Sequence, residues 1–154
     1  MERLYATLRV GDLICGVDAL VVQEVLRHQH MTRVPLASPE VNGLINLRGQ
    51  VVTAVDLRRK LGLTPRDPDQ ESMNLVVWTE DGAVSLLVDD IGDVVRVDED
   101  LLEPTPRTLE GEAAELISGV CKFDDWLLLM LDVELACRVN PRDPGTAGLA
   151  TIRN

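Results

Sequence analysis

Apolar and polar residues alternate along much of the chain, and this pattern predicts short, half-buried β-strands. Leu4 to Val10 alternates strictly, and a turn at Gly11-Asp12 returns the chain through Leu13 to Val17. Asp18 resembles a helix cap, and the apolar spacing of Ala19 to Val25 predicts one or two helical turns. Further strands are predicted at Met31 to Val34, Val41 to Ile45, Gln50 to Val55, Met73 to Thr79, Ala83 to Val88, Glu115 to Phe123 and Trp126 to Leu131.

The stretch VNGLINLRGQVVTAVDLRRKL, residues 41–61, predicts a hairpin followed by a short helix. Gly49 supplies the positive φ that a tight turn between two strands usually requires. Arg48 lies beside it, where a long cation can reach back over the neighbouring strands. Asp56 is placed to cap the helix that follows. Short helical turns are also expected at Asp98 to Leu102 and after Asp132.

An internal repeat organises the chain. The runs LRVGDLICGVDALVVQEVL and VWTEDGAVSLLVDDIGDVV share one order: strand, glycine-bearing turn, strand, aspartate. Later in each copy Gly43 matches Gly119, and Asp56 matches Asp132. The repeat predicts one domain over 1–139 with two β-rich lobes of about five strands each. Lobe one would span about 4–65 and lobe two about 73–138, with the connector 64–72 between them. A mobile tail is expected at 140–154.

Amino-acid composition and net charge indicate the type of core and disfavour some classes of partner. Hydrophobic residues make up 45 % and aromatic residues only 3 %, so an aliphatic core is expected, and the apolar runs LICGV and WLLLML predict that the lobes pack together. A net charge of −11 disfavours nucleic acid and anionic membranes as partners. Cys15, Cys121 and Cys137 lie in apolar runs, which predicts buried free thiols in a reducing compartment. With no signal peptide or membrane span in the sequence, a cytoplasmic protein is expected.

The sequence contains no recognisable catalytic set. Nucleophile-elbow, phosphate-loop, dinucleotide, zinc-protease and Cys-x-x-Cys motifs are missing from it. His28 and His30 could supply two metal ligands, but no third ligand lies near, so a solvated loop is the preferred interpretation. The acid pairs Asp89-Asp90 and Asp124-Asp125 are expected to serve turns and caps rather than catalysis. We therefore expect a protein that is not an enzyme and needs no cofactor or metal.

Several runs of the chain resemble the CheW family of chemotaxis coupling proteins. They are VDALVVQEVLR, TRVP, VNGLINLRGQVVTAVDLRRKLG, LLVDDIGDVV and LISGVCKFDDWLLLMLDVE, and the likeness covers about Leu4 to Cys137. The resemblance implies an all-β fold of two five-stranded SH3-like barrels packed together. It also implies a non-catalytic adaptor that couples the cytoplasmic tip of chemoreceptors to the regulatory domain of the histidine kinase CheA. Such an adaptor is recruited to membrane-associated receptor arrays without touching the membrane itself.

The resemblance also implies two sets of site residues. The receptor-binding residues would be Val22, Glu24, Val25 and Arg48, and the kinase-binding residues would be Met31, Val34, Val41 and Gly43. Val22 and Val25 are three apart, which would place them on one face of the predicted helix, and Glu24 could pair with Arg48. Two alternatives stay open: the valines are simply core, and the Glu24–Arg48 pair is purely structural.

Some positions depart from the family's pattern and leave the partner open. Asp89-Asp90 stands where an aspartate-glycine pair is usual, Asn42 stands where a cation precedes the glycine, and the loop RHQHMT is unusually rich in histidine. One alternative is a CheW-like scaffold of a non-flagellar pathway that binds kinase but a different receptor or none. Another is a small-molecule sensor that uses a cavity between the lobes.

Overall fold

Residues 1–139, the part of the chain that this computed structural model describes, form ten β-strands, three short α-helices and two 3-10 turns. The strands are β1 (Glu2–Val10), β2 (Leu13–Asp18), β3 (Val22–Leu26), β4 (Val41–Leu47), β5 (Gln50–Asp56), β6 (Met73–Thr79), β7 (Gly82–Val88), β8 (Asp90–Asp98), β9 (Ile117–Lys122) and β10 (Leu127–Leu131). The helices are α1 (Leu57–Lys60), α2 (Glu112–Leu116) and α3 (Val133–Cys137), and the 3-10 turns are Ala19–Val21 and Glu99–Leu101. Across residues 1–139, no helix has the length and apolar character that crossing a membrane requires. The tail predicted at 140–154 lies outside the described residues.

The strands form two five-stranded sheets, which we name barrel A and barrel B. Barrel A has the strand order β8-β1-β2-β10-β9, and barrel B has the order β3-β6-β7-β5-β4. Neighbouring strands run antiparallel except for the pairs β2–β10 and β5–β7, which run parallel. The predicted all-β class, two five-stranded SH3-like barrels with short helical turns, is confirmed.

The two barrels do not correspond to the two halves of the chain. Barrel A joins β1 and β2 from the first half to β8, β9 and β10 from the second, and barrel B combines the remaining strands. The predicted lobes at about 4–65 and 73–138 are therefore wrong as spatial units. The connector 64–72 links α1 to β6 within barrel B and marks no boundary. The first hairpin of the first copy, β1–β2, pairs with β8 and β10 of the second copy, and the first hairpin of the second copy, β6–β7, pairs with β3 and β5 of the first. A repeated apolar pattern is compatible with this exchange and also with copies that fold separately.

A single pair of residues closes each barrel at matching places in the two copies. Thr32, which follows β3, exchanges two backbone hydrogen bonds with Leu44 of β4, with N···O distances of 2.9 and 2.8 Å. Glu103, which follows β8, exchanges two bonds of 2.9 Å with Val120 of β9. Since β3, β4, β8 and β9 are the outer strands of the two sheets, these bridges join free edges that would otherwise expose unpaired backbone groups.

The repeated glycines explain how the bridging segments fit. A Cβ atom at Gly43 would lie 2.7 Å from the carbonyl oxygen of Thr32, and one at Gly119 would lie 3.2 Å from that of Glu103. The first distance is shorter than a carbon–oxygen contact allows, so only glycine fits without displacing the bridge. The sequence match between Gly43 and Gly119 therefore reflects barrel closure.

Three groups of buried aliphatic side chains form the interior. The largest group lies between the barrels and includes Leu8 and Val17 of barrel A together with Leu75 and Leu86 of barrel B. Leu86 and its neighbour Leu87 point to opposite sides of β7, the first to the interbarrel core and the second to the core of barrel B. The runs LICGV and WLLLML both lie in barrel A, and alternate residues of each reach the interbarrel group, so they pack the two barrels together rather than the two predicted lobes. The core of barrel A is built from Val97, Cys121, Leu128 and Met130.

The segment after Asp18 is a strand rather than the predicted helix. The Asp18 carboxylate accepts a hydrogen bond of 2.9 Å from the backbone N–H of Leu20 and caps only the 3-10 turn Ala19–Val21. The chain then extends as β3 and pairs with β6. Valines at 21, 22 and 25 favour an extended backbone, and an isolated turn of helix would be marginal by itself. Asp56 and Asp132 cap α1 and α3 as predicted.

Candidate docking surfaces

The ion pair predicted between Glu24 and Arg48 is present. It spans the seam of barrel B, which is the gap between its outer strands β3 and β4. Arg48 Nη2 donates to both carboxylate oxygens of Glu24, at 2.7 and 2.8 Å. Glu24 belongs to β3, one outer strand of barrel B, and Arg48 lies in the turn after β4, the other outer strand. Hydrogen bonding to Glu24 raises the pKa of Arg48 above its ordinary value. The side chain of Arg48 remains 70 % exposed, so a partner can reach it.

Local backbone geometry positions Arg48. Arg48 and Gly49 both have positive φ, 51° and 86°, as a two-residue hairpin turn of the I′ type requires. The side-chain oxygen of Asn46 accepts a hydrogen bond of 2.9 Å from the N–H of Gly49 and fixes the turn. The predicted role of Gly49 in this turn is confirmed.

The two valines of the predicted receptor-binding set lie in different environments. A bulge in β3 between Val22 and Glu24 interrupts the pairing with β6. Val22 is half-buried and packs against the interbarrel core, whereas Val25 is 44 % exposed. Because the segment is extended, the helical spacing that was expected to align the valines does not apply. Val25, Glu24 and Arg48 are the members of this set that a partner can contact directly.

Three of the four predicted kinase-binding residues line one cavity. It has a volume of about 820 Å³, and Met31, Val34 and Val41 contribute to its walls. Met31 also packs against the core of barrel B, and the amide of Asn42 donates to its sulfur at 2.9 Å. Gly43 is buried beneath the bridging segment, so it shapes this surface but presents no side chain to it.

A buried carboxylate connects the two barrels, a role that the sequence did not indicate. Asp89, at the junction of β7 and β8, was expected to serve a turn or cap, but its side chain is 0 % exposed. It accepts hydrogen bonds from Arg58 of α1 at 2.7 and 2.9 Å, from Arg66 of the connector at 2.9 Å, and from the N–H of Gly11 at 2.7 Å. The predicted turn role accounts only for the bond from Gly11, in the β1–β2 turn, and the bonds from Arg58 and Arg66 were not predicted. Three sequence-distant segments meet there, which no local pattern could indicate.

The surroundings of Asp89 favour its charged form. Burial alone would raise its pKa, but the hydrogen bonds from Arg58, from the N–H of Gly11 and from Arg66 outweigh burial and hold the pKa well below the usual range. The carboxylate therefore stays ionised and compensates two guanidinium groups that are only 13 % and 11 % exposed. This cluster positions α1 and the connector rather than carrying chemistry.

The three cysteine thiols are withdrawn from solvent. Cys15, Cys121 and Cys137 are buried free thiols, as predicted. Burial raises the pKa of Cys15 and of Cys137 to about 12, which disfavours the nucleophilic thiolate. Among residues 1–139, no group of three metal-ligating side chains comes together, and this includes the surroundings of His28 and His30.

A hollow between the barrels is small. Its walls include Tyr5 of barrel A and Trp78 of barrel B, and its volume is about 250 Å³. Small-molecule sites usually enclose about 300–1,000 Å³. The hollow therefore gives little support to a sensor of small molecules.

Comparison with known proteins agrees with this architecture. A family model described as the CheW-like domain matches residues 4–138. The chain is 32 % identical to the chemotaxis protein CheW of Bacillus subtilis over 117 residues, covering 76 % of this chain and 75 % of that one. It is 28 % identical to a probable chemotaxis protein CheW of Rhizobium etli over 133 residues, covering 86 % of each.

A solved structure shows the same fold. The scaffolding protein TtCheW of Thermoanaerobacter tengcongensis superposes with a TM-score of 0.81 at 24 % identity, covering 93 % of this chain and 97 % of that one. The family match, the relatives and the doubled barrel lead to one conclusion: this chain belongs to the CheW-like domain family of chemotaxis proteins.

Proposed function

We propose that this chain is a non-catalytic adaptor of chemotaxis signalling that couples chemoreceptors to the regulatory domain of the histidine kinase CheA. It would work at membrane-associated receptor arrays, to which its partners recruit it. Membership of the CheW-like family supports the chemotaxis role. The withdrawal of the thiols from solvent agrees with an adaptor that makes contacts rather than reacts.

The observation that carries the proposal is the separation of the two predicted surfaces on one barrel. Val41 begins β4 and Arg48 follows its end, and a seven-residue strand spans about 20 Å. The receptor-binding set would therefore occupy one end of the β4–β5 hairpin and the kinase-binding set the other. A protein that bridges two partners needs two surfaces that can be occupied together, and a shared rigid strand pair would hold them at a fixed distance.

Binding assays with the two partners test the proposal. Wild-type protein should capture a cognate CheA regulatory domain and should restore receptor control of kinase activity in reconstituted arrays. Val25→Asp should weaken receptor control while kinase capture persists, because Val25 is exposed and directly follows Glu24 in β3. Val22→Asp is a poorer variant, since Val22 packs on the interbarrel core. Val94→Asp, at an exposed valine of β8 in barrel A and away from both predicted surfaces, is the matched control.

Exchanging the two charges separates a receptor contact from a structural ion pair. Arg48→Glu alone should weaken receptor control. The double exchange Glu24→Arg with Arg48→Glu can re-form an ion pair across the seam but presents the opposite charge at the exposed position. If the receptor contacts Arg48, the double variant should remain impaired. Full recovery in the double variant, or normal receptor control in both Arg48→Glu and Val25→Asp, would show that the assigned receptor surface is wrong.

A further inference from the structure

We propose that the cavity lined by Arg59 and by residues between His28 and Asn42, Glu40 not among them, receives an acidic, partly apolar segment of a partner protein, whose carboxylates pair with Arg33 and Arg59. The inference refines the kinase-facing surface and rests on the proposed function only for the identity of the partner. The chemistry that the cavity selects is argued from its lining alone.

The lining of this cavity has the opposite charge from the rest of the chain. Arg33, Arg59, His28 and His30 contribute to its walls, and no aspartate or glutamate does. The whole chain carries a net charge of −11, with 26 acidic residues against 15 lysines and arginines. The positive charge of the lining comes from Arg33 and Arg59, and it favours an anionic group inside the cavity. The adjoining pocket, which shares Arg59, is lined by Asp56, Asp67, Asp69 and Glu71, so the positive patch is confined to this cavity.

The two arginines are available to a ligand. Arg33 and Arg59 are exposed, and within residues 1–139 neither guanidinium takes part in an ion pair. Arg58, next to Arg59 in α1, shows the contrast, because it is nearly buried and bound to Asp89. A free guanidinium presents a planar fork of donors that matches a carboxylate.

The cavity also offers apolar contacts on a strained loop. Met31, Val34 and Val41 lie in its walls, and Leu36 at its rim is 84 % exposed. Leu36 has a φ of 65°, a backbone conformation that a leucine rarely adopts. Strained positions persist where the surrounding structure imposes them, and they cluster at binding sites. An exposed leucine in such a conformation suits contact with apolar side chains of a ligand.

These features favour a short acidic protein segment over a polyanion. The net charge of the chain repels nucleic acid and anionic lipid at long range. A few carboxylates on a peptide meet less of that repulsion and can reach the two arginines. Apolar residues between those carboxylates would contact Met31 and Val34, which phosphate groups could not do.

The test uses the full chain, isotope-labelled for backbone amide NMR, and two synthetic probes. One probe is a short peptide in which glutamate and leucine alternate, and the other has lysine in place of glutamate. We expect the acidic peptide to cause saturable shifts at residues 28–42 and Arg59, and the lysine peptide to cause none there. The double variant Arg33→Glu with Arg59→Glu should weaken the acidic peptide at least about tenfold, since it loses two charge pairs and adds repulsion.

The control variant is Arg96→Glu with Arg107→Glu, which changes the net charge equally at two exposed arginines outside the cavity. It should leave the affinity for the acidic peptide nearly unchanged. Shifts that map elsewhere, no saturable shift, equal binding of the lysine peptide, or equal weakening by the control variant would each overturn the inference. Because the probes contain no kinase, this result is independent of whether the chain captures CheA.

Discussion

Replacing Asp89 by asparagine tests the view that one buried carboxylate holds α1, the connector and the first hairpin together. Asparagine keeps the size of the side chain and one acceptor oxygen but removes the charge. In the native protein, Arg58 and Arg66 donate to Asp89 at 2.7 and 2.9 Å, and their side chains are only 13 % and 11 % exposed. Asp89→Asn therefore leaves two nearly buried guanidinium groups without a counter-charge.

The expected loss of stability follows from the low solvent exposure of Arg58 and Arg66. Removing one partner of a buried ion pair typically costs 3–5 kcal/mol, because the remaining charge cannot return to water. Asp89→Asn should lie near the lower end of this range, because asparagine retains one acceptor oxygen and the arginines remain slightly exposed. We expect the free energy of unfolding at pH 7 to fall by about 3 kcal/mol.

The dependence on pH has a defined sign. The pKa of Asp89 is lowered in the folded state, so its contribution to stability is fully present above the unfolded-state value of about 3.9. It is lost progressively as the pH falls below that value towards the folded-state pKa. The stability difference between wild type and Asp89→Asn should therefore be constant from pH 7 to about pH 5 and shrink on the order of 1 kcal/mol by pH 3.

Urea unfolding followed by circular dichroism at several pH values measures both effects. Asp90→Asn is the matched control, because Asp90 is the exposed neighbour and, within the described residues 1–139, its carboxylate accepts only from the N–H of Ile91. The control should stay within about 0.5 kcal/mol of wild type. A loss below about 1 kcal/mol in Asp89→Asn, or a difference that does not shrink in acid, would refute the buried ion cluster as a source of stability.

Three further outcomes are expected. Gly43→Ala should lower the urea midpoint more than Gly119→Ala. A Cβ at Gly43 would lie 2.7 Å from a carbonyl oxygen, whereas a Cβ at Gly119 would lie 3.2 Å from one. Equal midpoints for the two variants would contradict the account of barrel closure. Arg48→Ala should leave the urea midpoint unchanged, since the ion pair is solvent-exposed, and a large shift would assign the pair a structural role. Cys15 should resist alkylation at pH 8 in the native protein and react on unfolding, because it is buried and its pKa is raised to about 12; rapid native labelling would contradict this.

Many local features of this protein could be predicted because their causes are local. Strict alternation over Leu4 to Val10 predicted β1, and the aspartates 56 and 132 capped the helices as their positions indicated. The turn at Arg48-Gly49 followed from the backbone freedom of glycine. The Glu24–Arg48 pair was also foreseen, because the family likeness placed both residues on one surface.

The errors arose where local patterns allow two outcomes. Valines spaced three apart are compatible with a helix or a strand, and pairing with β6 decided for the strand at Val22–Leu26. A repeat in sequence does not tell whether each copy folds by itself or exchanges its first hairpin. Here the hairpins are exchanged, so the halves of the chain are not the barrels.

The sequence by itself determined the all-β class, the doubled five-strand pattern and the tight turns, since these depend on apolar periodicity and on residues a few positions apart. The resemblance of several runs to a known family indicated the family, which the comparisons then showed. Only the tertiary structure decided which strands share a barrel, that Gly43 lies under a closing bridge, and that Asp89 is a buried acceptor for Arg58 and Arg66. The physical reason is distance along the chain. Each of these features joins segments many residues apart, and their energies depend on burial and geometry that exist only after the chain has folded.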